Sequence, residues 1–204
     1  MKQHVDYDRN VFINCPFDEE FEPLFNSILF TVHKCGFILR CSREYEDSST
    51  IRIKNILRLI GESKYSIHDL SRVSLDEIAD LPRFNMPLEL GICMGAIEFG
   101  SKKQRGNEYL IIESDKFRFK QFISDISGQD IRDHKNSVEG VIKIVRNWLS
   151  NKTSEKIPSA SLIHCNYLSF VEDLPLLCQE NSWIEKELTF DEYSTLVTSW
   201  LSLR

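Results

Sequence analysis

Short, continuous apolar runs alternate with longer amphipathic segments over residues 1–150 of this 204-residue chain. The run Val11–Asn14 is stopped by Pro16, and Tyr109–Ile112 is apolar throughout. Strands buried on both faces have this composition, and they occur in parallel sheets that helices cover on both sides. The alternation therefore predicts an α/β fold whose strands are joined by right-handed helical crossovers.

The other segments of this region extend the pattern to about five strands and four helices. The further strands are predicted at Gly36–Cys41, at Tyr65–Leu70 and around Ile131. The helices are predicted at Asp18–Cys35, from Ile51 to near Gly61, at Leu88–Phe99 and at Val138–Leu149. We therefore expect a doubly wound parallel sheet flanked by helices.

The sequence after this α/β domain is polar over residues 151–165 and predicts a linker. Residues 166–204 then show apolar positions at helical spacing in two segments, roughly Tyr167–Glu180 and Thr189–Leu203. They predict a small C-terminal helical hairpin, which packs either on residues 1–150 or on another subunit.

Composition restricts the partners. The net charge of −6 lacks the basic excess that nucleic-acid binding requires. No apolar run is long enough to cross a bilayer, and residues 1–6 lack the apolar core of a signal peptide, so we expect a cytoplasmic protein without membrane contact. The six cysteines form no Cys-x-x-Cys pair. They are predicted to be reduced thiols, with no metal site and no disulfide.

Polar side chains follow several of the predicted strands. Because the carboxyl ends of parallel strands meet at one edge, where α/β sheets bind ligands, these side chains predict one crevice. Its predicted lining is Asn14, Pro16, Phe17, Asp18, Asp47, Asp69, Ser71, Arg83, Asn85 and Glu89. Carboxylates pair with vicinal hydroxyls and Phe17 offers a ring for stacking, so the crevice suits a ribose or a nucleoside.

Common catalytic motifs are missing from the sequence. Neither Gly-x-Gly-x-x-Gly after the first strand nor Gly-x-x-x-x-Gly-Lys-Ser/Thr occurs, which argues against a conventional dehydrogenase or P-loop enzyme. There is no Gly-x-Ser-x-Gly elbow. His68 and Asp69 are neighbours on one strand and face opposite ways, so His68 is predicted to be a packed strand residue.

Three segments resemble the signatures of nucleoside 2-deoxyribosyltransferase-like proteins and of the related bacterial TIR-like domains. Val11–Phe17 is similar to their strand that leads into a Pro-Phe loop. His68–Ser71 is similar to a strand that ends in Ala-Asp-hydrophobic-Ser/Thr, and Asn85–Gly91 resembles their Asn-Pro-Asn-x-x-x-Glu-Leu-Gly helix start. The resemblance covers roughly residues 9–150 and implies a flavodoxin/TIR-like fold.

The resemblance implies cleavage or exchange of an N-glycosidic bond in a nucleoside or in NAD, the latter as substrate and not as cofactor. Glu89 takes the position of the catalytic carboxylate, which stabilises or attacks an oxocarbenium-like centre. Asp69 would then hold the sugar hydroxyls or the departing base, and Asn14, Asp47 and Asn85 would add polar contacts. The family analogy also implies a homo-oligomer, with the hairpin as its contact, and a role as a bacterial defence effector.

Each of these side chains also has a purely structural interpretation. Glu89, in a first helical turn, would complement the helix dipole. Asp69 and Asp18 would be ordinary loop or N-cap residues, Phe17 would belong to the core, and Arg83 would be solvated.

Two non-enzymatic functions stand beside the glycosidase. The crevice of a sensing module would bind a nucleotide without cleaving it, whereas in an assembly scaffold the hairpin would drive association. The segment Arg72–Phe84 is longer than in the family, and Cys15 stands where many transferases have Gly, so the resemblance leaves the substrate open.

Overall fold

A computed structural model of the chain describes residues 6–45, 50–72 and 84–204. It contains a five-stranded parallel sheet in the order β2-β1-β3-β4-β5. The strands are β1 (Asn10–Asn14), β2 (Ile38–Cys41), β3 (Tyr65–Asp69), β4 (Glu108–Glu113) and β5 (Arg132–Asp133). The predicted doubly wound α/β fold is confirmed.

The described residues form six α-helices. They are α1 (Glu22–Lys34), α2 (Arg52–Gly61), α3 (Asn85–Phe99), α4 (Val138–Leu149), α5 (Ala160–Glu180) and α6 (Phe190–Ser202). Helix α1 begins four residues later than predicted, because Pro23 favours a position in the first helical turn. Asp18 therefore does not cap α1. Its Oδ1 accepts the N–H of Phe21 at 3.0 Å and closes the preceding turn.

The two central strands, β1 and β3, are buried along their whole length. Val11 and Ile13 point to one face of the sheet and share a core with α1 and α4. Phe12 points to the other face and packs against α2. Alternation along fully buried strands therefore builds two cores, one on each side of the sheet.

The C-terminal helices pack on α1. The ring of Phe30, which is fully buried, lies 5.5–5.8 Å from the rings of Tyr167, Phe170 and Trp200. Helix α5 begins seven residues earlier than predicted, inside the segment expected to be a linker, because Ser159 caps it by accepting the N–H of Leu162. The hairpin and the α/β residues thus share one hydrophobic core.

Helix α5 is 21 residues long, but Glu172 and Asp173 interrupt its apolar positions. Within the described ranges, no helix combines the length and the apolar character needed to span a bilayer.

Candidate functional site

The strand order puts the point where the winding of the chain reverses direction between β1 and β3, and α/β sheets bind ligands at the carboxyl ends of the strands that flank this point. Asn14 ends β1 and Asp69 ends β3. The side-chain amide of Asn14 donates to the backbone oxygen of Met86 at 2.8 Å. This bond holds the first turn of α3 against the end of β1, and Glu89 follows three residues after Met86 on the same helix.

Glu89 lies in the second turn of α3, since the helix starts at Asn85 and not at the predicted Leu88. The unpaired N–H groups that attract a negative charge are concentrated in the first turn, so the helix-dipole interpretation of Glu89 is weakened. The Glu89 side chain is buried, and it has no hydrogen-bond partner among the described residues. Burial raises its pKa to about 7, opposed by the charge of Arg52 on α2.

Two carboxylates act on the pKa of the Cys15 thiol, directly after the end of β1. Burial raises the pKa of Cys15, and the negative charges of Asp69 and, more weakly, Glu89 act in the same direction. Cys15 follows directly after Asn14. Asp69 and Glu89 therefore both lie within electrostatic range of the residue that follows β1.

Asp69 is fully buried, and both of its carboxylate oxygens are engaged. Oδ1 accepts the backbone N–H of Ser71 at 2.8 Å, and Oδ2 lies 3.0 Å from Nε2 of His134. Nδ1 of His134 accepts the N–H of Asn136 at 3.1 Å, so the neutral ring carries its hydrogen on Nε2 and donates towards Asp69. In this arrangement Asp69 orients Ser71 and His134.

These three side chains are not a Ser-His-Asp triad. The Oγ of Ser71 lies 3.1 Å from the same nitrogen, Nε2 of His134, that faces Asp69. In a triad the carboxylate and the serine hydroxyl bind opposite ring nitrogens, because one nitrogen must be free to take the serine proton. Here Nε2 carries the hydrogen, so His134 is not placed to deprotonate Ser71.

His68 belongs to a series of buried, hydrogen-bonded side chains on the face of the sheet that α2 and α3 cover. Asn14 donates a second amide hydrogen to Nδ1 of His68 at 2.9 Å, and Nε2 lies 3.0 Å from Oγ of Ser66. Ser66 in turn lies 3.2 Å from Sγ of Cys93. Burial lowers the pKa of His68 to about 3, so the ring is neutral near pH 7. As predicted, His68 is a packed strand residue.

The predicted stacking residue Phe17 lies in a packed position. Its ring meets the ring of Phe25 edge-on, with centroids 5.4 Å apart, and the guanidinium of Arg43 lies 4.9 Å from the Phe17 centroid. These contacts agree with the interpretation of Phe17 as a core residue and not as a stacking surface for a ligand. Asp18 lies nearby on the same loop and pairs with Arg72 at 3.4 Å.

The remaining predicted residues are placed as follows. Pro16 is buried, and Asn85 is exposed at the start of α3. Asp47 and Arg83 lie outside the described residues, so their predicted contacts stay predictions.

Sequence reasoning missed Glu113, the last residue of β4. Its side chain is buried, and Oε2 accepts the N–H of Phe119 at 3.2 Å, whereas Oε1 has no partner among the described residues. Burial raises the pKa of Glu113 to about 7, and the charge of Asp69 adds to this effect. Little in the sequence indicates that Glu113 is buried in a strand, because the apolar run ends one residue earlier, at Ile112.

The Glu113→Gln variant is expected to show a weaker pH dependence of stability than the native chain. The folded pKa, about 7, lies above the ordinary value of 4.5, so this carboxyl stabilises the fold while protonated, and that contribution disappears as the pH rises from 4.5 to 7. Between pH 5.5 and 8.5 the native chain should lose on the order of 2 kcal/mol through this group. Urea unfolding at both pH values measures the difference, and an equal loss in both proteins would contradict it.

No protein-family model matches this sequence, and neither the curated proteins nor the solved structures include a match. In the part of the chain that the structure describes, no three His, Cys, Asp or Glu side chains are grouped to hold a metal ion.

Proposed function

We propose that this chain cleaves or exchanges the N-glycosidic bond of NAD or of a related nucleotide or nucleoside, in the crevice between β1 and β3. The observation that carries the proposal is the carboxyl of Glu89, which is buried without a hydrogen-bond partner among the described residues and lies on α3, the helix whose first turn Asn14 holds against the end of β1. A buried, unpartnered carboxyl with a perturbed pKa is typical of a catalytic group.

The chemistry requires a negatively charged protein group beside the anomeric carbon, where positive charge develops. When the bond between that carbon and the base breaks, the electron pair leaves with the base and the sugar becomes an oxocarbenium-like centre. The nicotinamide of NAD carries a positive charge before cleavage and leaves as a neutral molecule, so it needs no proton from the protein. Ionised Glu89 stabilises the developing charge or bonds to the carbon until water or another base replaces it.

The pKa of Glu89 near 7 fits this role, because a substantial fraction of the carboxyl is ionised at neutral pH. Asp69 serves as a positioning residue, since its oxygens hold Ser71 and His134 in place. Ser71 lies two residues beyond the end of β3, and its hydroxyl would contact a sugar hydroxyl.

Incubation of the pure protein with NAD, followed by chromatography of released nicotinamide, tests the proposal. Parallel reactions with nucleosides and deoxynucleotides, with and without an acceptor base, cover the related substrates. We expect catalytic turnover of at least one of them. An intact ligand that raises the melting temperature would instead indicate a sensing module. If the protein neither turns over nor binds any compound of this set, a nucleotide function is contradicted.

A further inference from the structure

Arg52, the first residue of α2, brings a positive charge to the carboxyl edge of the sheet. Its Nη2 donates to Oγ of Ser42 at 3.5 Å, and Ser42 directly follows β2. The pairing of β1 with β2 places Ser42 level with Asn14, the last residue of β1. The guanidinium therefore reaches the edge at which Asn14 holds the first turn of α3.

Arg52 also lies near Glu89 without being bonded to it. Helices α2 and α3 lie side by side, since Ile92 of α3 packs against the cluster that contains Leu59 of α2. The charge of Arg52 acts on the Glu89 carboxyl, yet the guanidinium forms no ion pair with any carboxylate of the described residues. Glu89 is 7% exposed and is likewise unpartnered among those residues. Two opposite charges thus lie at one edge of the sheet, and neither neutralises the other by contact.

The start of α2 has the charge and the donors that bind an anion. Its first turn contains the exposed cations Arg52 and Lys54 and no acidic residue, whereas Glu22 and Glu139 occupy the first turns of α1 and α4. The N-cap residue, Ile51, offers no side-chain acceptor. Backbone N–H groups in a first turn lack acceptors within the helix, and the added cations strengthen the positive potential there. Phosphate groups bind at helix starts of this kind.

We propose that Arg52 and the start of α2 bind the 5′-phosphate of the substrate while Glu89 lies at its anomeric carbon, so that the chain acts on nucleotides and not on plain nucleosides. The inference rests on the proposed glycosidase function and specifies its substrate class. In a ribose, the anomeric carbon and the carbon that bears the 5′ arm are both bonded to the ring oxygen. One sugar ring therefore spans the region between the two side chains.

The pair of opposite charges selects a nucleotide over simpler ligands. Inorganic phosphate would match Arg52 and leave the buried carboxyl of Glu89 unpartnered. A nucleoside would bring its anomeric carbon to Glu89 and leave Arg52 without an anion. A nucleotide presents a phosphate at one end of the ribose and, as the N-glycosidic bond breaks, a positively charged carbon at the other. Arg52 is then the residue that determines specificity for the phosphate.

Nicotinamide release from nicotinamide mononucleotide and from nicotinamide riboside tests the inference, because these compounds differ only in the 5′-phosphate. The native chain should show a kcat/KM about tenfold or more higher for the mononucleotide, since charge-assisted bonds to phosphate are strong. Arg52→Gln should abolish this preference by raising the KM for the mononucleotide, with the rate on the riboside unchanged. Arg58→Gln is the matched control, because it removes the same charge from the last turn of α2 and should keep the preference.

Binding separates this inference from the glycosidase function. Calorimetry with the same two compounds is carried out on the Glu89→Gln protein, with and without Arg52→Gln, and circular dichroism checks that each variant is folded. Selective binding of the mononucleotide that Arg52→Gln weakens about tenfold supports the phosphate site, even if the native chain cleaves neither compound and the glycosidase is thereby contradicted. Equal turnover of both compounds would overturn the phosphate site and leave the glycosidase standing. Neither turnover nor binding of either compound would overturn both.

Discussion

The Glu89→Gln variant is expected to lose the proposed N-glycosidase activity, with kcat lower by about 10³-fold. Glutamine has nearly the same shape as glutamate, but it cannot carry the negative charge that stabilises an oxocarbenium-like centre. The measurement is the initial rate of nicotinamide release at saturating NAD. Because the substitution hardly changes the volume of the side chain, substrate binding should be affected much less than turnover.

Glu98→Gln is the matched control, because Glu98 is exposed on the same helix and should leave the rate unchanged. Stability separates a catalytic loss from a folding defect. Burial raises the pKa of Glu89 to about 7, so its ionisation at pH 8.5 destabilises the fold, and the neutral glutamine removes that penalty. The Glu89→Gln variant should therefore melt no lower than the native chain at this pH. A full reaction rate in Glu89→Gln would exclude Glu89 from catalysis.

The His134→Ala variant is expected to lower the free energy of unfolding by about 3–5 kcal/mol, which corresponds to a melting temperature roughly 10 °C lower. His134 is fully buried and contacts Asp69, Ser71 and the backbone of Asn136. Its removal leaves the carboxylate of Asp69 buried without its ring partner, and the desolvation of that charge is then poorly compensated. Urea unfolding monitored by circular dichroism measures the loss.

His164→Ala is the control for this variant, since His164 lies partly exposed on α5, and it should cost less than about 1 kcal/mol. A second substitution, Asp69→Asn, should restore part of the stability in the His134→Ala background, because it removes the unpaired charge. The resulting double-mutant cycle isolates the coupling between the two side chains. Equal losses from His134→Ala and His164→Ala would show that the buried pair contributes little.

The sequence predicted the layers of the fold well, because each strand and helix buries its apolar residues against the same sheet. Helix α4 was predicted with its observed ends, and Ser137 caps it by accepting the N–H of Gly140. The start of α3 was predicted three residues too late. Pro87 indicates the earlier start, since proline is tolerated in a first helical turn, where N–H groups have no intrahelical partner.

The buried partners of Asp69 could not be predicted in the same way. His134 follows β5, which is only two residues long, and it meets Asp69 across a sequence separation of 65 residues. Apolar periodicity reports which face of an element is buried, but it does not report which polar side chains from distant strands meet. Glu89, Asn14 and Asp69 were placed together because each lies at or next to the end of a predicted element.

The central position of β1 and β3 in the sheet determines how fast their amide hydrogens exchange with solvent. Amide hydrogens of fully buried central strands exchange with solvent mainly through global unfolding, whereas edge elements open locally. Hydrogen exchange at Ile13 and Ile67 should therefore be among the slowest in the chain. A ligand that binds at the carboxyl ends of these strands would contact side chains that folding has already ordered. Its binding free energy would then not be reduced by an entropic cost of ordering Asn14 and Asp69.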